Sequence, residues 1–74
     1  MRRRGPYESG DPISVLTSHP THGTVLATRR VQYIRQSPTN GEWIIRWTNI
    51  DGTVITTRVD ERGRDRHGYV RPVR

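Results

Sequence analysis

The sequence predicts a small all-β domain, on three observations. β-Branched residues and threonine crowd the stretch from Ile13 to Val59, and no stretch carries apolar residues at the i, i+3, i+4, i+7 spacing of a helix face. Asn49-Ile50-Asp51-Gly52 reads as a hairpin turn between two apolar-rich runs. Seventy-four residues close a single hydrophobic core. With 30% apolar residues and neither Phe nor Cys, that core must come from two tryptophans, three tyrosines and a modest set of aliphatic residues.

Residues 1–12, MRRRGPYESGDP, mix charge with two glycines and two prolines and show no apolar period. They are expected to form a flexible basic arm, leaving residues 13–74 as the folded domain. Ile13 to Thr17 reads as a short edge strand, and Gly23 to Arg35 as one long strand. In the latter, Val25, Ala27, Val31 and Tyr33 share one parity and Thr28, Arg30 and Gln32 the other. Leu26, Arg29 and Ile34 fall out of phase, which a bulge near Arg29-Arg30 would absorb.

The loop Ser37-Pro38-Thr39-Asn40-Gly41 leads into a strand over 42–48, and the turn at Asn49 leads into another over 53–59. Two registers compete for this hairpin, and a one-residue slip exchanges its faces. A two-residue Asp-Gly loop sets Trp43, Ile45 and Trp47 against Asp60, Arg58 and Thr56. A type I turn with Gly52 in a left-handed bulge sets them against Val59, Thr57 and Ile55 instead. Only the second makes an apolar face, so it is the predicted register. The opposite face then carries Ile44, Arg46 and Thr48 beside Arg58, Thr56 and Val54.

Residues 60–68 hold three acids and three arginines with no apolar residue, and read as a polar loop. Tyr69 to Val73 supplies a last edge strand. Five short antiparallel strands, the last returning beside the first, curl into an SH3-like barrel; an open three-stranded antiparallel sheet is the alternative. The opening Gly23-Thr24-Val25-Leu26 followed by a hairpin resembles SH3-like barrels of the KOW and Tudor kind, which occur in chromatin-, ribosome- and transcription-associated proteins. The resemblance is one of pattern, without a diagnostic motif.

All thirteen basic residues are arginine, against seven acids, giving a net charge of +6. The absence of lysine points to a GC-rich genome, and the charge itself attracts polyanions. The excess sits mostly on the folded body, +3 over 13–59 and +2 over 69–74, against +1 on the arm and zero on the 60–68 loop. Without cysteine there is no disulfide or thiolate metal site. With no long apolar run and no apolar stretch behind Met1, a cytoplasmic location is expected.

Arg30, Arg46 and Arg58 are assigned to one sheet face, with Gln32, Thr48 and Thr56 among them, a set suited to phosphate oxygens. Arg2, Arg3 and Arg4 form a basic arm of the kind that follows a groove. Tyr7 and Tyr69, beside arginines, are candidates for exposed contact, with a cap on the core as the alternative for either, and Tyr69 and Arg71 are counted among the nucleic-acid-binding residues. Trp43 and Trp47 are assigned to the core rather than to base stacking. Arg62-Gly63-Arg64 has the centre of an AT-hook, but acids flank it where the hook has prolines. His19 and His22, three apart, lack the further ligands a zinc site needs, so no metal or cofactor is expected. No nucleophile–base pair or glycine-rich phosphate loop appears, so the chain is read as a non-enzyme.

The expected function is that of a small nucleic-acid-binding accessory or regulatory protein contacting the phosphate backbone of DNA or RNA. The alternative is a protein-interaction module of the sort phages and mobile elements encode, docking an acidic host protein or self-associating.

Overall fold

The computed structural model describes residues 5–73. The period-two alternation of apolar and polar residues produces six strands: β1 (Pro12–His19), β2 (Gly23–Arg30), β3 (Tyr33–Gln36), β4 (Trp43–Thr48), β5 (Val54–Val59) and β6 (Val70–Pro72). They form two three-stranded antiparallel sheets, ordered β2-β1-β6 and β3-β4-β5, which do not close into a barrel. No helix in the described residues is long and apolar enough to cross a membrane.

One departure from the expected five-stranded barrel lies between Gly23 and Arg35. The stretch from Gly23 to Arg35 is two strands in two sheets, not one bulged strand. Inward positions in β2 run Val25, Ala27 and Arg29 and continue to the buried Val31, whereas in β3 the inward residue is Ile34. Val31 and Ile34 are three positions apart, an odd offset, so a regular extended chain cannot present both to one core without a turn. The backbone shows where it turns. Val31 exchanges hydrogen bonds with the Gly10–Asp11 segment, at 2.6 and 2.8 Å, while Gln32 N already donates to Arg46 O of β4 at 2.8 Å.

A second difference concerns β1. Expected at an edge, it is the central strand of its sheet, paired along its whole length with β2 and at Ile13–Val15 with β6. The tight turn at His19–Gly23 forces β2 onto one side, and the returning C-terminal strand takes the other.

The β4–β5 hairpin adopts the bulged register read from the sequence, with Trp43, Ile45 and Trp47 opposite Val59, Thr57 and Ile55. Gly52, at φ +90°, occupies the left-handed position the bulge demands, and Asn49 closes the turn through its bonds with Thr53 and Gly52.

Between the sheets lies a core of Tyr7, Ile13, Val15, Val31, Ile45, Trp47, Val59 and Val70, with Ala27, Ile34, Trp43 and Ile55 packed against it. Both tryptophans therefore serve the interior, and the Trp47 indole N–H is satisfied by Thr57 Oγ1 at 3.1 Å. Polar side chains tie one sheet to the other at the far end of β4. The buried Asn49 accepts from Thr17 Oγ1 at 3.0 Å and donates to Ser18 O, and Arg29 Nε donates to Thr48 O at 2.7 Å.

Tyr7 corrects the reading of the N-terminal segment. Taken from the sequence as a candidate for exposed contact, it is 4% exposed and lies in the core. Its hydroxyl donates to Gly63 O. Gly5 lies so close to Trp43 that a Cβ there would stand 2.9 Å from the ring. A core this lean draws in the nearest large ring, wherever in the chain it lies. The acceptor belongs to the charged stretch expected as a loop, and that stretch is a hydrogen-bonded turn. The Asp60 carboxylate accepts from Arg62 N and Arg64 N at 2.8 and 3.1 Å, and Asp65 accepts from Val70 N at 2.9 Å.

The Tyr7–Gly63 contact yields two predictions. Gly63 is at φ +87°, and a Cβ there would stand 2.6 Å from the Tyr7 hydroxyl oxygen. Gly63→Ala therefore combines backbone strain with overlap against a buried ring, and should cost about 1–3 kcal/mol, seen as a lowered midpoint in tryptophan-monitored thermal melting.

The second prediction concerns pH. Burial, reinforced by the Asp60 carboxylate, pushes the Tyr7 hydroxyl up to about 12 from an ordinary value of 10.0. In the unfolded chain the group ionises first, so its contribution to stability is whole below pH 10 and is lost as pH rises from 10 to 12. Tyr7→Phe should remove that slope of at most about 1.4 kcal/mol per pH unit. It should also cost about 1–3 kcal/mol at neutral pH by leaving Gly63 O unsatisfied. Urea titrations of the two proteins at pH 8 and pH 11 measure both effects.

Candidate nucleic-acid interface

The outward positions of β3-β4-β5 follow from the register. Because alternate residues on a strand face opposite ways, placing Ile34, Ile45 and Thr57 inward puts their neighbours outside. Two rows cross the sheet: Arg35–Ile44–Arg58, and Tyr33–Arg46–Thr56. Beyond them Thr48 pairs with Val54. None of these outward positions carries a carboxylate. Arg35 and Arg58 flank the half-buried Ile44, and Arg46 lies over the Tyr33 ring, its guanidinium carbon 5.2 Å from the centroid.

Acids begin one register step past the Trp43–Val59 pair, at Glu42 and Asp60. Asp60 is directed into its own turn. The hydrogen bonds from Arg64 N and Arg62 N hold its carboxyl below the usual range. Glu42 accepts from Asn40 Nδ2 at 3.1 Å. Between them an open groove of about 600 Å³ continues from Arg58 to Arg64, Arg66 and His67.

The residues assigned from the sequence separate into three places. Arg46 and Arg58 share the outer face, as expected, and Gln32 borders it by donating Nε2–H to Thr48 Oγ1 at 2.6 Å. Arg30 does not share it. It ends β2 in the other sheet, opposite Pro12, where its guanidinium donates to Gly10 O at 2.8 Å. The sheet change at Val31–Gln32 separates it from Arg46. Tyr69 and Arg71 lie on the outside of β2-β1-β6, Arg71 opposite Ser14 and Tyr69 packed near His67 with centroids 5.6 Å apart. Arg2, Arg3 and Arg4 lie outside the described residues.

Two members of the face were missed in the sequence. Tyr33 shares the parity of Val31 in the sequence, yet it is outward and 44% exposed, and Arg35, to which the sequence assigns no role, stands beside it on the same face. The signal was the phase slip at Ile34. Placed after Val31 rather than at Arg29-Arg30, it brings Tyr33 and Arg35 to the outer face.

Other polar motifs have structural duties. His19 Nδ1 accepts from the backbone N–H of Thr21 and His22, at 3.1 and 3.2 Å, so it caps the β1–β2 turn. No group of three or more His, Cys, Asp or Glu side chains among the described residues could hold a metal ion. The Arg62-Gly63-Arg64 backbone is folded into the Asp60 turn against Tyr7 rather than extended as a groove-binding hook would be. No protein-family model, no curated protein and no solved structure matches this chain.

Proposed function

We propose that this protein binds nucleic acid through the phosphate backbone, using Arg35, Arg46 and Arg58 on the outer face of β3-β4-β5, as an accessory or regulatory factor rather than an enzyme. The observation that carries the reading is the placement of three guanidiniums on a sheet face without a carboxylate.

Each guanidinium presents a planar fork that matches two phosphate oxygens, and each phosphate neutralised releases condensed counterions. Ile44, between Arg35 and Arg58, offers the sugar an apolar contact. Arg46 lies over the ring of the half-exposed Tyr33, a contact that holds its guanidinium on this face. The neighbouring groove holds Arg64 and Arg66 together with Glu42, Asp60 and Asp65, so the carboxylate-free surface ends at Arg58. Contacts of this kind read the backbone and give little sequence discrimination.

Three phosphate contacts set the size of the test. Replacing Arg35, Arg46 and Arg58 together by Gln should flatten the dependence of log affinity on log salt by about 2–3 for duplex DNA, because each phosphate contact contributes about 0.9. Thermal stability should barely change, since all three side chains are exposed. Fluorescence anisotropy with labelled DNA and RNA at two salt concentrations reads both affinity and slope. Unchanged affinity and slope in the triple variant would remove this face from the interface. Affinity for an acidic protein, with no dependence on nucleic-acid length, would favour a protein ligand for the same guanidiniums.

A further inference from the structure

The second sheet has an outer face of different chemistry. In an antiparallel sheet with one side on the core, the other side ordinarily reads as polar. Here the outward positions of β1 and β2 put Leu16 directly opposite Leu26, and Leu16 N donates to Tyr69 O at 2.8 Å on the other side. A row Leu26–Leu16–Tyr69 therefore crosses the sheet, with the three residues 65%, 43% and 53% exposed. Val73 joins them near the open end of β6. Four of the seven large hydrophobic residues exposed among the described residues thus gather on one side of one sheet. Scattered exposed leucines need no account, but a contiguous row that crosses β2 and β1 and ends at Tyr69, next to β6, does.

The charges around the row define what can cover it. No carboxylate occupies an outward position of β1, β2 or β6, while Arg71 and Arg30 stand on the same side, Arg71 beside a shallow cleft formed with Leu26 and Val73. The Arg30 guanidinium uses one donor on Gly10 O and keeps others free for an anion. A second copy of the chain is a poor occupant. It brings no carboxylate on this face to meet Arg30 and Arg71, and each chain carries +6.

We infer that the outer face of β2-β1-β6 docks an acidic segment of a protein partner, one that carries apolar side chains between its carboxylates. The leucine and tyrosine row takes the apolar side chains, and Arg71 and Arg30 take the carboxylates. This surface is separate from the Arg35–Arg46–Arg58 face, so one molecule can hold a polyanion on one sheet and a protein on the other.

The probe is a fluorescein-labelled peptide alternating Glu and Leu, compared with one of equal charge in which Ser replaces Leu. Both are titrated into the ¹⁵N-labelled protein carrying Arg35→Gln, Arg46→Gln and Arg58→Gln, so that the proposed nucleic-acid face contributes nothing and its failure cannot be mistaken for this one. The Glu-Leu peptide should bind at least about tenfold more tightly than the Glu-Ser peptide and shift the amides of Leu16, Leu26, Tyr69 and Arg71. Leu16→Thr with Leu26→Thr, chosen because threonine suits a strand, should remove that advantage, and Arg71→Gln should weaken both peptides. Equal affinity for the two peptides would overturn the inference, as would shifts confined to residues outside this face. So would concentration-dependent shifts of the same amides without peptide, which would make a second copy the occupant. Shifts produced by anionic phospholipid vesicles but not by the Glu-Leu peptide would make it a membrane surface instead.

Discussion

Two adjacent peptide groups, Val31 and Gln32, hydrogen-bond in different directions, Val31 to the Gly10–Asp11 segment that leads into β1 and Gln32 to β4, and most of the molecule's geometry follows from that division. Val31 closes the ladder beside β1 while placing its own side chain in the core; Gln32 opens the ladder with β4. The chain between β2 and β3 thus turns a corner without leaving hydrogen-bonded structure, so neither backbone group is buried unpaired. The corner brings Arg29 against the end of β4, sends Arg30 to one sheet and Arg35 to the other, and leaves two outer faces whose residues never mix.

The thinness of the core explains why distant segments take part in it. Eight buried apolar residues are few for two sheets, and Tyr7 reaches in from outside the strands to complete them. Its hydroxyl then needs an acceptor, which Gly63 O supplies. The turn holding that acceptor contains no apolar residue. It is organised by Asp60 and Asp65 accepting from backbone N–H groups, so the acids in this stretch serve the backbone as much as they balance the neighbouring arginines.

The two outer faces share a lack of carboxylates and differ in what surrounds the guanidiniums. On β3-β4-β5 the arginines stand around Ile44 and Tyr33, a composition fitted to phosphates and sugars. On β2-β1-β6 the leading feature is apolar and the arginines stand at its margin. The first arrangement rests on electrostatic attraction that salt weakens; the second adds burial of apolar area, which salt does not screen.

What the sequence determined by itself is local. The all-β character, the turn at Asn49 and the register of β4 against β5 were legible because period-two alternation and a glycine in a left-handed bulge leave one pairing that keeps Trp43, Ile45 and Trp47 on an apolar face. Arg46 and Arg58 were placed correctly for the same reason. Tertiary structure decided whatever depended on partners far along the chain. The phase slip near Ile34 was visible, but its position was not, because only the competing demands of β1 and β4 for backbone hydrogen bonds fix the break after Val31. That choice removed Arg30 from the face and supplied Arg35 and Tyr33 in its place. Nor does any local pattern announce Tyr7, which is buried because the core needs another ring and a carbonyl fifty-six residues away accepts its hydroxyl.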